Sequence, residues 1–365
     1  MTSTFGKKIV TTIFGGSHDK TIGVVVDGLP LGFKIDMDAL DDFLRRRAPG
    51  RSEFTTPRLE KDKPEFIAGI IDDTIVSTTI AAVIKNTNQN SAAYKRFADV
   101  PRPSHADYVS YVKYDGKLDM RGSGSFSGRL TAPLCIAGGI AKQVLESKGI
   151  KIYSHIKNIG GIEDEKVDYV NPDMDALRVA TTRTVPAISE DRAKEMGELI
   201  LKVKEEKDSL GGIVECLATG LPVGLGEPNY AGFESLISSG IFAIPGVRGI
   251  EFGDGFASAA MRGSSHNDAF VIEDGKVWTK TNHAGGINGG ITNGMPLAFS
   301  VAMKPTPSIE KEQESFSLSE RKARVLEAKG RHDPCISLRA LPVIESVTAL
   351  VILDLMEVSD DYKRF

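Results

Sequence analysis

Strand-like and helix-like segments follow one another in this 365-residue sequence without a regular strand–helix–strand alternation. Runs rich in β-branched residues predict strands at residues 7–14, 22–26, 65–71, 79–84, 151–156, 210–217, 247–252 and 296–303. Apolar periodicity and capping residues predict helices at 36–47, 129–148, 189–208, 233–241, 319–329 and 341–356. A parallel sheet needs a crossover between successive strands, so this order predicts an α+β fold and not a doubly wound α/β sheet.

The composition excludes several classes of protein. Apolar residues make up 41% of the chain and charged residues 26%, which is typical of a globular protein and not of a fibrous or disordered one. The net charge of -4 supplies no global field for nucleic acid or anionic lipid. The first residues contain no apolar signal core and no apolar run is long enough to span a bilayer, so we expect a cytoplasmic protein without membrane partners.

The three cysteines, Cys135, Cys216 and Cys335, lie far apart and form no paired motif. This spacing argues against a disulfide framework and against a zinc cluster, and it predicts buried thiols.

The glycines are clustered, at 15–16, 122–128, 253–255 and 285–294. Glycine loops allow backbone amides to approach a ligand closely. The 122–128 cluster does not have the G-x-G-x-x-G spacing after a strand, so a dinucleotide-binding fold is not predicted.

Three of the six histidines, His18, His105 and His332, have glycine, serine or arginine neighbours. An imidazole in such a setting can exchange protons with an anionic ligand near neutral pH, although a hydrogen-bonded loop histidine gives the same pattern. For His155, which lies on a predicted strand, and for His266 and His283, we expect structural roles.

A second group of candidates is cationic. Arginines 45–47 end a predicted helix directly before Pro49-Gly50, and Arg51, Arg129 and Arg331 lie elsewhere in the chain. Guanidinium groups bind phosphate and carboxylate in a bidentate manner, whereas a solvated helix face is the alternative explanation of the basic run. The segment 304–308, Lys-Pro-Thr-Pro-Ser, places a cation and two hydroxyls after a strand and suits a phosphate monoester.

Three motifs, taken together, resemble the signature regions of chorismate synthases and occur in that family's order. They are Gly16-Ser17-His18 with Asp27-Gly28-Leu29-Pro30, Ser127-Gly128-Arg129, and Arg331-His332-Asp333-Pro334-Cys335 with Glu345 downstream. Further blocks resembling the family lie at 86–89, 102–108, 208–212, 249–256 and 304–308. The resemblance covers nearly the whole chain.

The resemblance implies a carbon–oxygen lyase of the shikimate pathway and of aromatic amino acid biosynthesis. Its reaction is an FMN-dependent 1,4-elimination of phosphate from 5-enolpyruvylshikimate 3-phosphate, giving chorismate without net redox change. The cofactor is reduced FMN, and NADPH enters only if the chain reduces its own flavin. The resemblance also implies a single domain over 1–365, built as a sandwich of helices and antiparallel sheet layers, a small-molecule substrate and a homotetramer.

By position in the motifs, three residues are implied to be catalytic. His18 would be the general acid for the departing phosphate, His105 would lie near the flavin, and Asp333 would help to remove the ring hydrogen. The implied substrate-binding residues are Arg47, Arg51, Arg129 and Arg331. The implied cofactor-binding residues are Ser125, Phe126, Ser127, Pro245, Gly246, Gly289, Lys304, Pro305, Thr306, Pro307, Ser308 and Arg331. The chain departs from the family pattern at Gly16, Asp19, Ala48, Glu53 and Ser125-Phe126.

Two alternatives remain at this point. The chain could be a flavin-binding family member with weakened or lost catalysis. It could also be a metal-dependent phosphohydrolase whose ligands come from His105-Ala106-Asp107, His266-Asn267-Asp268 and His332-Asp333.

Overall fold

The computed structural model describes residues 3–50, 52–56, 62–87, 98–328, 330 and 332–363. The strands are β1 (Thr4–Phe5), β2 (Val10–Phe14), β3 (Thr21–Asp27), β4 (Glu65–Ala68), β5 (Ile70–Ile71), β6 (Thr74–Ile75), β7 (Thr79–Lys85), β8 (Lys151–Ile159), β9 (Ile162–Glu163), β10 (Gly212–Thr219), β11 (Val247–Phe252), β12 (Phe270–Glu273), β13 (Lys276–Thr279), β14 (Ile287–Asn288), β15 (Ile291–Thr292), β16 (Leu297–Met303), β17 (Glu312–Phe316) and β18 (Ala323–Glu327). The helices are α1 (Met37–Arg47), α2 (Asp107–Lys113), α3 (Thr131–Ser147), α4 (Met174–Ala180), α5 (Glu190–Glu205), α6 (Phe233–Phe242), α7 (Gly263–His266) and α8 (Ser337–Lys363).

Two five-stranded antiparallel sheets form the framework. The first has the order β1-β2-β3-β7-β4 and the second the order β11-β16-β10-β8-β9. At the centre of the first sheet, Ile22 pairs with Ile84, and both side chains are buried. The antiparallel pairing confirms the predicted α+β class.

Helices α1, α3 and α8 lie between the two sheets. Helix α3 packs on β3 and β7 of the first sheet and against α8, whereas α8 packs on β8 and β10 of the second sheet. The two helices approach closely at Gly138, where an added Cβ would lie 2.1 Å from the Cβ of Ser346. One hydrophobic cluster runs through both sheets and these helices, so the layers share a core.

The predicted buried thiols are confirmed, since Cys135, Cys216 and Cys335 are free and buried. Within the described part of the chain, no helix combines the length and the apolar character needed to cross a membrane.

The two ends of the chain are joined by one carboxylate. Oδ1 of Asp354, near the end of α8, accepts hydrogen bonds from the backbone N–H groups of Lys7, Lys8 and Ile9 at 2.9, 2.6 and 2.8 Å. Asp354 is buried, so this contact fixes the segment between β1 and β2 on the last helix.

The outer face of the second sheet contains a buried ion network. His155 Nδ1 lies 3.0 Å from Asp164 and its Nε2 lies 3.1 Å from Glu215. Lys157 and Tyr169 also contact Glu215. Burial opposes charge on the imidazole, but hydrogen bonds with the two carboxylates raise the pKa of His155. These contacts agree with the structural role expected for His155.

The helix predicted at 319–329 is wrong. Residues 323–327 form β18, which pairs with β17 from Glu312↔Glu327 to Phe316↔Ala323. Arg321, with φ of 57°, lies in the turn that precedes the strand and leaves the helical region of backbone space. The charged and apolar residues of this segment therefore belong to a β-hairpin and not to a helix. Lys329, the last residue of the predicted helix, lies outside the described residues.

Candidate active site

A cavity of about 590 Å³ lies where the ends of α1, α6 and β16 meet the beginning of α8. Its walls include thirteen of the residues predicted above: Arg47, His105, Ser125, Phe126, Ser127, Arg129, Pro245, Gly246, Lys304, Thr306, Pro307, Ser308 and Asp333. The volume is within the usual range for cofactor and substrate pockets. Segments distant in sequence thus converge on one site.

His105 is held in one orientation by its neighbours. Its Nδ1 lies 2.8 Å from Asp107 Oδ1, and its Nε2 lies 3.2 Å from the hydroxyl of Ser123. The guanidinium of Arg102 binds Asp107 through Nε and Nη2, both at 2.8 Å. It also donates to Ser308 Oγ at 3.1 Å.

The charges around His105 favour a neutral ring beside an ionised acid. Burial lowers the pKa of His105, against the opposing hydrogen bond to Asp107. Burial alone would raise the pKa of Asp107, but hydrogen bonds with Arg102 and His105 hold it well below its ordinary range. The neutral imidazole can therefore accept a proton at neutral pH.

Asp333 also lines the cavity and precedes α8. Its Oδ1 accepts from the backbone N–H of Thr56 at 2.9 Å, and its Oδ2 accepts from Arg339 Nη1 at 2.6 Å. Arg339 Nε also donates to the backbone carbonyl of Arg47 at 2.9 Å. These contacts fix the carboxylate within the cavity.

Asp62 joins the two arginines that were predicted to bind substrate anions. Arg47 donates to one of its oxygens at 2.9 Å, and Arg129 donates to the other. Burial lowers the pKa of Arg47 to about 10, which leaves it charged at neutral pH. Burial would raise the pKa of Asp62, but the two guanidiniums hold it below its ordinary value.

The segment 304–308 passes between the loop before α2 and the end of α6. Lys304 Nζ donates to the carbonyl of Ser104 at 2.5 Å, and its backbone N–H donates to Gly246 at 2.9 Å. Burial lowers the pKa of Lys304, with Arg248 adding to the effect. The hydroxyl of Thr306 is buried and has no hydrogen-bond partner among the described residues. A cation and an unsatisfied hydroxyl within one segment of the cavity wall suit an anionic group.

His18 lies behind the cavity wall and not among its lining residues. It is buried, and a Cβ added to Gly122 would lie 2.1 Å from its Nδ1. Gly122 lines the cavity, so this glycine lies between His18 and the cavity that His105 and Asp333 line.

Two predicted cofactor residues are not part of this cavity. Pro305 lies within the 304–308 segment but does not line it. Gly289 lies in the turn between β14 and β15, beside the first residue of α6, because Phe233 donates to the carbonyl of Gly290. The cavity contacts Phe242 at the other end of that ten-residue helix, about 15 Å away. Arg51 and Arg331 lie outside the described residues.

Sequence reasoning missed the side chains of Asp62, Arg102, Ser123 and Arg339, which contact predicted site residues, and the backbone N–H of Thr56, which binds Asp333. Arg102 and Asp107 lie within five residues of each other and flank His105, so their local spacing could have indicated a shared network. Asp62 has no such signal, because it is 15 residues from Arg47 and 67 from Arg129.

The three segments considered as metal ligands do not form one site. His266 stacks on His283 at 5.7 Å, and His283 Nδ1 contacts Asp254 at 2.6 Å, whereas His105 and His332 line the cavity. Across the described ranges, no group of three or more His, Cys, Asp or Glu side chains is arranged to hold a metal ion.

The chain is similar to known proteins along almost its full length. The family model described as chorismate synthase matches residues 9–356. A chorismate synthase from Lancefieldella parvula is 40% identical over 365 residues, covering 97% of this chain and 96% of that protein. One from Parabacteroides distasonis is 41% identical over 363 residues, covering 100% of both chains.

A solved structure agrees with these matches. The crystal structure of a chorismate synthase superposes with a TM-score of 0.77 at 26% identity, covering 97% of this chain and 93% of the other. Family match, relatives and fold agree, and the chain belongs to the chorismate synthase family.

Proposed function

We propose that this cavity catalyses the family's chorismate-forming reaction as an FMN-dependent 1,4-elimination of phosphate from 5-enolpyruvylshikimate 3-phosphate. Family membership carries the chorismate-forming step of the shikimate pathway and a lyase activity, and it implies a flavin cofactor in general. The observation that carries the proposal is the convergence of His105, Asp333, Arg47, Arg129 and Lys304 on one cavity. The identity of the flavin as reduced FMN and the roles of the residues are the proposed part.

The charge of the cavity suits this substrate. The substrate carries a phosphate and two carboxylates, and Arg47, Arg102, Arg129 and Arg339 all line the space. Each guanidinium is already held by protein groups, which reduces the entropy lost when an anion binds. We assign Arg47 and Arg129 to substrate binding, and extend that proposal to Arg51 and Arg331.

The donor set fits a flavin phosphate. We assign Lys304, Thr306 and Ser308 to this phosphate, with Ser125, Phe126, Ser127, Pro245, Gly246 and Pro307 bordering the ring. The buried Thr306 hydroxyl, which lacks a partner in the described structure, supports this assignment. When bound, reduced FMN supplies transient electron donation that helps phosphate to leave. NADPH enters only if the chain also reduces its flavin.

Proton handling falls to three side chains. We assign His18 as the general acid that protonates the departing phosphate. We assign His105 as a neutral imidazole that lies near the flavin and maintains the flavin's protonation state. Burial lowers the pKa of His105, which keeps this ring neutral near pH 7. Asp333 takes part in removing the ring hydrogen, while Arg339 and the Thr56 N–H orient its carboxylate.

We extend the proposal to the whole molecule. The shared hydrophobic core supports a single domain over 1–365. Phe256, Phe270 and Ile272 are exposed by 86%, 74% and 76%, and such apolar surface supports assembly into the proposed homotetramer. The net charge of -4 supports a small-molecule substrate without a nucleic-acid partner, and we propose a cytoplasmic location.

The direct test is anaerobic incubation of the protein with reduced FMN and 5-enolpyruvylshikimate 3-phosphate, with chorismate and phosphate measured together. We expect equimolar products, and we expect Asp333→Asn to lose at least about 10²-fold in rate. Asp115→Asn is the matched control, since Asp115 is 84% exposed and forms a surface ion pair with nearby Lys117. Flavin binding without product from the unaltered protein would instead support the non-catalytic alternative.

A further inference from the structure

Ser123, His105 and Asp107 form a connected chain of hydrogen bonds, of which the proposed elimination uses only His105. Ser123 Oγ lies 3.2 Å from His105 Nε2, and His105 Nδ1 lies 2.8 Å from Asp107 Oδ1. Arg102 Nη2 also lies 3.2 Å from His105 Nδ1, but the contact with Asp107 is shorter, and a carboxylate only accepts, so we assign the ring hydrogen to Nδ1. Nε2 is therefore left to accept the hydroxyl hydrogen of Ser123. A hydroxyl, a base and a group that orients the base are the elements of an activated nucleophile.

The backbone at Ser123 is held in an unusual conformation. Its φ is 74°, in the left-handed region that favours glycine, and it lies between Gly122 and Gly124, which also have positive φ. Its N–H donates to the carbonyl of Met120 at 2.9 Å, which holds the turn in place. Nucleophilic serines of hydrolases are commonly presented on such sharp turns. Ser123 lines the cavity, so its hydroxyl can meet a bound small molecule.

The positive charge of Arg102 beside Ser123 favours negative charge on the serine oxygen. Arg102 Nη2 donates to Ser123 Oγ at 3.1 Å and is itself buried against Asp107. A guanidinium at this distance stabilises negative charge that develops on the serine or on a carbonyl oxygen that it attacks. The imidazole beside it is favoured in its neutral form, because burial lowers the pKa of His105.

We propose that Ser123 is a nucleophile and that the flavin-free protein hydrolyses small carboxylic esters at this cavity. Ser123 Oγ forms a bond to the ester carbonyl carbon while its proton passes to His105 Nε2. The bond from this carbon to the leaving oxygen then breaks, and that oxygen receives the proton from His105. Water, deprotonated by the same nitrogen, attacks the acyl-serine, releases the carboxylic acid and restores the hydroxyl.

The surroundings define the substrate class. The cavity of about 590 Å³ admits an ester of a small or medium acid, and its cationic side chains favour acyl groups that carry a carboxylate. Neither flavin nor a phosphate ester takes part, so the inference is independent of the proposed elimination.

Hydrolysis of 4-nitrophenyl acetate by the flavin-free full chain tests the proposal. Ser123→Gly removes the hydroxyl at a φ that glycine adopts readily. Asp274→Gly is a matched control, because Asp274 also has a positive φ, of 48°, and lies in the exposed turn between β12 and β13, outside the cavity lining. We expect Ser123→Gly to lose at least about 10²-fold of the protein-dependent rate, and Asp274→Gly to keep it within about twofold.

Covalent labelling gives a second measurement that does not depend on turnover. We expect phenylmethanesulfonyl fluoride to modify the peptide containing Ser123 in the unaltered protein and in Asp274→Gly, with no label at this position in Ser123→Gly. Equal esterase rates in the two variants, or labelling confined to other residues, would overturn the proposal. These assays contain no flavin, so their failure leaves chorismate formation unaffected, and chorismate formation is measured separately.

Discussion

Arg339 Nη1 donates a hydrogen bond of 2.6 Å to Oδ2 of Asp333, the carboxylate that we assign to removal of the ring hydrogen. The Nε of the same guanidinium donates to the backbone carbonyl of Arg47 at 2.9 Å. One side chain therefore sets the distance between the proposed proton acceptor and the end of the helix that delivers the anion-binding arginine.

Replacing Arg339 with methionine removes both hydrogen bonds and keeps most of the apolar stem. We expect the rate of chorismate formation to fall about 10²-fold, because a carboxylate misplaced by about 1 Å loses its productive geometry. The measurement is kcat and KM under anaerobic conditions with reduced FMN. Arg192→Met is the control, since Arg192 lies on the exposed side of α5; an unchanged kcat in Arg339→Met would contradict the positioning role.

Asp62→Asn tests the carboxylate between Arg47 and Arg129. Both arginines are buried, so loss of their shared counter-charge should lower the free energy of unfolding by about 3–5 kcal/mol. Urea denaturation measures this, and Asp115→Asn, on the surface, should stay within about 0.5 kcal/mol. Inorganic phosphate should restore part of the stability in Asp62→Asn, since it can pair with the same guanidiniums; an unchanged midpoint in that variant would contradict the assignment.

The contact between Gly122 and His18 gives a test of the proposed acid. His18→Ala should lower turnover by about 10²-fold or more. Gly122→Ala should have a similar effect, because its new Cβ would lie 2.1 Å from the imidazole Nδ1. Gly32→Ala separates strain from displacement, since Gly32 also has a positive φ of 79° but open space around it. Full turnover in His18→Ala would remove this residue from the acid role.

His155→Gln should destabilise the protein in a pH-dependent manner. Contacts with Asp164 and Glu215 raise the pKa of His155 above its unfolded value of about 6.5. The stabilisation from the charged ring is therefore complete below about pH 6.5 and declines as the pH rises through the folded value. Burial would raise the pKa of Glu215, but contacts with His155 and Lys157 lower it to about 2, so its contribution declines as the pH falls below about 4.5 and is lost in strong acid.

Thermal unfolding of the unaltered protein and of His155→Gln between about pH 5 and 9 measures this linkage. We expect the difference in melting temperature to be largest near about pH 6 and to decrease toward alkaline pH. A difference that grew with pH would show that the ring is neutral in the folded protein. His266→Gln is the control, because His266, in α7, stacks on His283 and does not take part in the network of His155, Asp164 and Glu215.

Much of the fold was predictable because its signals are local. Helix α1 has Asp36 as its N-cap and arginines in its last turn, and both features are visible in the sequence. The β-branched run at 22–26 lies within β3. The hairpin of β17 and β18 was not predictable in the same way, because its charged residues fit an amphipathic helix and only the cross-strand pairing decides the outcome.

The residues of the site likewise fall into those with a local sequence signal and those without one. His105 and Asp333 lie in motifs whose neighbours indicate their chemistry, and the structure brings both to one cavity. Asp62 and Arg339 were missed because their partners are brought together by tertiary packing, with Arg339 lying 292 residues from Arg47. Gly289 belongs to a glycine-rich segment like a ligand loop, but the fold places it at the far end of α6.

The carboxylate of Asp354 has a consequence for biosynthesis. It anchors the backbone of Lys7, Lys8 and Ile9, which are separated from it by at least 345 residues of chain. A growing polypeptide must emerge from the ribosome at least as far as residue 354 before this anchor can form. A nascent chain interrupted earlier therefore lacks the hydrogen bonds that hold the segment between β1 and β2 on α8.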